Sequence, residues 1–310
     1  MSVSEKKIIS EIKEEAQYLQ KDYDYSIKEA PDFELLPIVK AKEKYSWLRE
    51  YIKKPSQGYF LWVKKSPRFP IVTCFLIASR GVSQRLTNFI LIEKNVNVTF
   101  KGLCMAELPD LAGKHMDFTK MIIKENSNVV YEHIHKWGKR DLVSMVLNLE
   151  LRKNAKLTYK YRSLESPKEF YVLTKARLYD YASANVTVAT LGDNSKIRMN
   201  ENFELIGSHS DAIIKLRVVS RNGADVVGIS RISAVGDKTR GHLDCQGLVL
   251  SNDTRIDLIP ELESKNKTSM LTHEASIGRI TPDVLNYLRS RGLTEEQAID
   301  LIVNGFLMSE

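Results

Sequence analysis

A turn rhythm is the feature that most constrains how this chain can fold. In its second half Asn194, Ser210, Asn222-Gly223, Gly236-Asp237, Asn252-Asp253 and Asn266-Lys267 recur at nearly even intervals, each the length of one short strand and its turn. Asn, Asp, Gly and Ser accept the backbone geometry of tight turns, so such spacing marks out short elements of nearly equal length. Between about Tyr59 and Leu271 the chain consists of β-branched and aromatic runs such as FPIVTCFLIAS, VVYEHIHKW, LVSMVLNLEL and DAIIKLRVVS, and no amphipathic helix is legible there. Two architectures fit: a β-sandwich of hairpins, or a β-solenoid whose coils stack with side chains alternating inward and outward. The Cys-Trp-Cys and tyrosine-corner patterns of immunoglobulin domains are absent. Periodicity alone leaves both architectures open.

Helical periodicity brackets this region. From Ser4 to about Gln20, Ile9, Ile12, Ala16 and Leu19 recur at spacings of three and four among Lys and Glu. A second helix is expected over about Ala41 to Lys53, with Tyr45, Leu48 and Ile52 on one face, before Pro55 and Gly58 interrupt it. At the other end Thr281 is placed as an N-cap with Pro282 in the first turn, Leu285 and Leu288 as an apolar face, and Gly292 as a left-handed stop. Thr294-Glu295-Glu296-Gln297 reads as a capping box opening a last helix whose stripe is Ala298, Leu301, Ile302 and Phe306. The chain divides into a helical lead-in (1–57), a β core (58–275) and a C-terminal helical hairpin (276–310).

With 310 residues, 43% hydrophobic and 27% charged, the chain can bury a sizeable core. Its 46 Lys+Arg exceed 39 Asp+Glu by 7, but the signs are interspersed and basic stretches such as Lys64, Lys65 and Arg68 are short, so no nucleic-acid partner is expected. Cys74, Cys104 and Cys245 are too widely spaced for a disulfide framework or a CxxC motif, which implies a reducing, cytoplasmic setting. The opening MSVSEKKIISEIKEE has no apolar core of a signal peptide, and no apolar run is long enough to span a bilayer; neither export nor a membrane span is expected.

The common catalytic signatures are missing. Gly113-Lys114 is followed by His115, and Leu108 stands where a P-loop needs its first glycine, so the chain is not expected to bind nucleotide itself. There is no GxGxxG, GxSxG or HExxH. His133 and His135 alternate in EHIHKW and so share one strand face, either as a metal pair or as two histidines on a solvated surface. Cys74, within IVTCFLIA, reads as core. Cys245 lies in the polar stretch RGHLDCQG, where Arg240 and His242 nearby would favour an accessible thiolate, and His273-Glu274 closes the β region. Thiolate, imidazole and carboxylate are ligand types for iron or iron–sulfur fragments, and stacked coils could bring Cys245 and His273-Glu274 into register; structural roles for the same residues remain open.

The tail THEASIGRITPDVLNYLRSRGLTEEQAIDLIVNGF, from Thr272 to Phe306, closely resembles the C-terminal signature of the SufB/SufD family, the scaffold components of the SUF iron–sulfur cluster assembly system. The HEA triplet, the LRSRG stop, the acidic capping box and the NGF ending carry the likeness. Upstream, RGHLDCQGLVLSNDTRIDLIPELES (240–264) and GLCMAELPDLAGKHMDFTKMIIKENSNVVYEHIHKW (102–137) are similar to the family's cysteine-bearing segments. The resemblance implies a right-handed parallel β-helix with flanking N- and C-terminal helices, which favours the solenoid. It implies cluster-assembly ligands at Cys245, His273 and Glu274, with Thr272 standing where SufB is acidic. It places sulfur entry at Cys104, for which a buried structural role is the alternative. It further implies that the hairpin, with Thr281, Leu285, Leu288, Arg291, Leu301 and Phe306, docks a SufC-type ABC ATPase, and that a homodimer through the β-helix end holds a transient iron–sulfur cluster as cargo. It names no sulfur donor and no flavin. The short lead-in makes the chain look like a compact, undifferentiated member. The alternatives are a structural partner of the ATPase with no cluster site, or a polysaccharide-active β-helix enzyme. The latter is generally secreted and built on paired carboxylates, which this sequence does not place on consecutive coils.

Overall fold

A computed structural model describes residues 3–53 and 57–309; Pro55, expected to end the second helix, lies outside them. The chain is a β-solenoid, mainly β, with helices at both ends. One sheet is built from β1 (Tyr18–Lys21), β2 (Asp24–Ile27), β5 (Ile71–Ile77), β7 (Asn97–Ala106), β9 (Asn128–Lys136), β11 (Lys156–Glu165), β13 (Ser183–Asp193), β15 (Asp211–Arg221), β17 (Arg240–Val249) and β19 (Met270–Arg279). The other takes β3 (Phe33–Pro37), β4 (Tyr59–Val63), β6 (Ser83–Ile92), β8 (Lys114–Ile123), β10 (Leu142–Leu151), β12 (Glu169–Leu178), β14 (Lys196–Leu205), β16 (Asp225–Ala234) and β18 (Arg255–Ser264). From β4 onward odd and even strands fall on opposite sheets, every pairing among them is parallel, and each coil contributes one strand to each sheet.

Coils close at corners where the backbone turns left-handed. Asn95, Asn126, Asn154, Asn194 and Asn222 all have φ between 49° and 62°, a region asparagine tolerates better than most residues. Their side chains also stack: Asn126 Nδ2 donates to Asn95 Oδ1 at 3.2 Å and Asn154 Nδ2 donates to Asn126 Oδ1 at 2.9 Å. At Gly207 the constraint is steric, since a Cβ would stand 2.0 Å from the Asp180 amide nitrogen of the adjacent corner. The turn rhythm in the sequence is this stacking of corners.

Period-two alternation fills the lumen. In β10 every second residue from Val143 to Leu151 is buried while its neighbours are half-exposed. The core so formed runs from Tyr18 to Ile256, with Trp137, Tyr159, Tyr161, Phe170 and Phe203 among the largest fully buried side chains. Each fully buried aliphatic or aromatic side chain contributes about 1.5–3 kcal/mol of transfer free energy.

The lead-in is not purely helical. The first helix, α1 (Val3–Glu15), stops before Leu19, which lies in β1; Ile9, Ile12 and Ala16 pack on the outer face of the first sheet against Val72, Cys74 and Leu103. The second predicted helix is two short ones, α2 (Ile38–Lys44) and α3 (Leu48–Tyr51), covering Phe60, Phe89 and Ile122 on the other sheet. Strand β1 extends the first sheet in parallel and β2 then pairs antiparallel with it, whereas β3 closes the second sheet antiparallel to β4. At the opposite end β18 and β19 are the terminal strands of their sheets, with no such cover among the described residues. After β19 come α4 (Pro282–Ser290) and α5 (Glu295–Met308), separated by Gly292 at φ 93°.

Candidate functional site

Register on the odd-numbered sheet defines three inward-facing rows. One runs Phe100, Tyr131, Tyr159, Val186, Ile214, Leu243, His273. The next runs Gly102, His133, Tyr161, Val188, Leu216, Cys245, Ala275. The third runs Cys104, His135, Ser163, Thr190, Val218, Gly247, Ile277. Cys104 and Cys245 therefore both face the lumen, five coil steps apart. At 4.7–4.9 Å per strand spacing this is roughly 24 Å along the axis.

Cys104 lies in a dense polar cluster. Its Sγ is 3.4 Å from His133 Nε2, which is 3.0 Å from His135 Nε2, and the Tyr161 hydroxyl is 2.9 Å from His135 Nδ1. Cys104, His133 and His135 are at most 3% exposed. The solvated-surface expectation for His133 and His135 is thereby corrected: their face is the solenoid interior, and the strand's charged residues Glu132 and Lys136 point the other way. Burial keeps the histidines neutral, pushing His133 down to about 3, and raises the Cys104 thiol well above its ordinary range. The sequence reading took the cysteine and the histidines separately; the coil length that makes Cys104 and His135 register partners unites them.

Beyond this cluster the inward rows are mainly Val, Ile and Leu, with isolated polar side chains among them. Tyr159 Oη, Thr174 Oγ1, Thr190 Oγ1, Ser230 Oγ and both carboxylate oxygens of Glu201 make no hydrogen bond of good geometry, although Thr174 neighbours Glu201 and Ser230 neighbours the Cys245 thiol. Burial pushes Glu201 up to about 7, and Asp117, which binds Asn88 and Thr119, also to about 7.

Cys245 differs from its sequence expectation. It sits mid-strand in β17, is 1% exposed, and burial raises its thiol above the ordinary range. Arg240 and His242 lie on the outer side of β17 and do not face it. The register sets Cys245 opposite Ala275, while His273 stands two positions earlier on the same inward side of β19 and opposes Leu243. Glu274 points to the other face, with its Oε1 3.7 Å from His242 Nε2, whose ring Nδ1 is 2.8 Å from Thr272 Oγ1. His273 and Glu274 are exposed because β19 is the last strand of its sheet. Among the described residues the metal-competent grouping of His, Cys and carboxylate side chains is Cys104, His133 and His135, and not Cys245, His273 and Glu274.

The hairpin forms as its caps require. Thr294 Oγ1 accepts from the Gln297 amide at 3.2 Å and Gln297 Oε1 accepts from the Thr294 amide at 2.9 Å. Thr281 occupies the N-cap position of α4 without a side-chain hydrogen bond. Ile299, Ile302, Val303, Phe306 and Leu307 pack α5 on Val219 and Leu248 of the odd-numbered sheet, so Phe306 is engaged internally and Leu301, predicted for the same stripe, is exposed. Thr281 and Arg291 are exposed, and Leu285 and Leu288 are half-buried.

A parallel β-solenoid with a thiol- and imidazole-bearing lumen and a helical tail is the class of protein these features define. Residues 75–306 match the family described as SUF system FeS cluster assembly, SufBD core domain. The chain belongs to the SufBD family. An iron–sulfur cluster assembly SufBD family protein of Archaeoglobus fulgidus is 29% identical, covering 94% of this chain and 84% of its own length. One from Pyrococcus horikoshii is 34% identical over 77% of this chain and 73% of its own, and one from Methanothermobacter thermautotrophicus is 27% identical over 88% and 73%. The chain thus has a role in SUF iron–sulfur cluster assembly. No helix among the described residues is long and apolar enough to cross a membrane.

Proposed function

We propose that this protein is a scaffold on which a nascent iron–sulfur cluster is built at the uncovered end of the solenoid, between two copies of the chain. The observation that carries this reading is the placement of Cys245 one coil below that end, with His273 on the exposed final strand two positions out of register with it. One chain provides a thiol and an imidazole but no closed ligand set, which suits a site completed by a second copy and able to release its cargo. Glu274, on the outer face beside His242, would join the ligand set only where two ends abut. Cys104 is the entry point for sulfur. Its buried thiol takes the terminal sulfur of a donor persulfide and gives its proton to the departing donor thiolate, and the buried polar side chains of Tyr159, Thr174, Thr190, Glu201 and Ser230 are the stepping points on the way to Cys245.

The exposed side of the helical hairpin, with Thr281, Leu285, Leu288, Arg291 and Leu301, is the docking face for a SufC-type ATPase that supplies the energy of ATP hydrolysis. The chain itself performs no catalysis in this reading. Anaerobic reconstitution with iron and sulfide, with and without the ATPase, is the test. Wild type is expected to develop the visible absorption of a cluster, and Cys245→Ala and His273→Ala to lose it. Equal iron uptake by all three, or none by any, would replace the scaffold with a structural partner of the ATPase.

A further inference from the structure

We propose that Cys104, His133 and His135 form a mononuclear site for a thiophilic transition-metal ion of the zinc type inside the solenoid, separate from the cluster site at its end. The three ligand atoms lie within 4.8 Å of one another, with the Cys104 Sγ to His133 Nε2 and His133 Nε2 to His135 Nε2 separations at 3.4 and 3.0 Å. Tetrahedral zinc, with Zn–N of about 2.0–2.1 Å and Zn–S of about 2.3 Å, requires N···N and S···N separations of about 3.4 and 3.6 Å. The pairs the structure brings closest are already near the spacing a metal imposes. Three protein ligands leave a fourth coordination position for a small exogenous ligand.

The surroundings hold this geometry. The Tyr161 hydroxyl, 2.9 Å from His135 Nδ1, can accept the proton that this nitrogen carries when Nε2 binds metal, which fixes the ring's orientation. His133 is aimed sterically: the Tyr131 ring stacks on it with centroids 5.3 Å apart, and across the rung stands Gly102, where a Cβ would come within 2.9 Å of His133 Cδ2. Only a residue without a side chain at 102 lets this imidazole lean towards Cys104. Both imidazoles are buried and neutral, the protonation state in which histidine ligates. Binding releases the one proton of the Cys104 thiol, and the resulting thiolate offsets part of the cation's charge. A metal-bound thiolate is not free to attack a persulfide, so metal loading and sulfur loading of Cys104 exclude each other.

The test uses anaerobic Co2+ as a spectroscopic probe and Zn2+ as competitor, added both to the folded protein and during refolding, so that a closed lumen does not hide the site. One Co2+ per chain is expected, with the thiolate-to-cobalt charge-transfer band and intense d–d bands of tetrahedral coordination, displaced by Zn2+. Cys104→Ser is expected to abolish the charge-transfer band, and His133→Gln or His135→Gln the tetrahedral spectrum. Gly102→Ala, which touches no ligand atom, is expected to weaken binding about 10–100-fold. Melting temperatures separate a lost site from a lost fold: without metal the Cys104, His133 and His135 variants should still melt cooperatively, and Zn2+ should raise wild type and Cys245→Ala but none of the three ligand variants. Cys245→Ala, which removes the cluster in the scaffold reading, should leave the Co2+ spectrum unchanged, so the two proposals fail independently. A band that survives Cys104→Ser and disappears in Cys245→Ala overturns the assignment, as does the absence of Co2+ binding by both routes.

Discussion

Glu201 brings a carboxyl group into the lumen, where burial outweighs the help of the neighbouring Thr174 hydroxyl and neither oxygen makes a hydrogen bond of good geometry. Its folded pKa of about 7, against 4.5 when unperturbed, means the native state binds this proton more tightly than the unfolded chain. The group's stabilising contribution is therefore complete below pH 4.5 and is lost as pH rises through 7, by about 3 kcal/mol for a shift of this size. Glu201→Gln removes the titration, so the variant should gain on wild type in unfolding free energy across that window; a constant difference from pH 4.5 to 8 would show that the carboxyl is solvated. The buried His115 and His133, both held near 3, act in the opposite sense, their contribution being complete above pH 6.5 and lost as pH falls towards 3. At this scale the sequence was only half legible. EHIHKW gives the shared face of His133 and His135 by alternation, but not which face is inside. The signal was in the same run: Val129, Tyr131 and Trp137 share the histidine row while Glu132 and Lys136 share the other, and an apolar row marks the interior.

Element boundaries followed their chemistry where a local device set them. The Thr294-Gln297 capping box, Pro282 and the Gly292 stop all stand where the sequence put them, since each depends on residues within one turn. The face of α5 was less legible because tertiary packing chooses it: Ile299, Val303 and Leu307 turn to the solenoid, leaving Leu301 outside. The same competition ended α1 early, since Leu19 satisfies the helical spacing yet pairs with Cys74 in a parallel ladder. Val303 is the buried centre of the α5 contact, so Val303→Asp should release the hairpin and leave the solenoid standing. Hydrogen exchange is expected to accelerate across α4 and α5 alone, with the strand signal in circular dichroism unchanged. Acceleration throughout β11–β17 would mean that the hairpin is part of the solenoid's cooperative unit.

The whole molecule is asymmetric along its axis. At the N-terminal end β2 pairs antiparallel with β1, β3 with β4, and helices cover both sheets, while at the other end β18 and β19 leave strand edges unpaired and Ile259, Met270 and Ile277 exposed. Soluble proteins do not usually leave long apolar edges bare, and a second copy abutting this end would pair and bury them. The turn rhythm showed short repeated elements but left sandwich and solenoid open, the family likeness of the tail chose the parallel stack, and the register was not legible. Coils differ in length by as little as one residue, as the pairings of Cys104 with His135 and of Cys245 with Ala275 show, and a slip of that size turns a side chain to the opposite face. Anaerobic native mass spectrometry of the reconstituted protein, read for chains and clusters together, tests the central claim most directly. The account predicts one cluster per two chains, with Ile277→Asp giving monomers that hold none. A cluster on a single chain, or on a dimer that Ile277→Asp leaves intact, would contradict it.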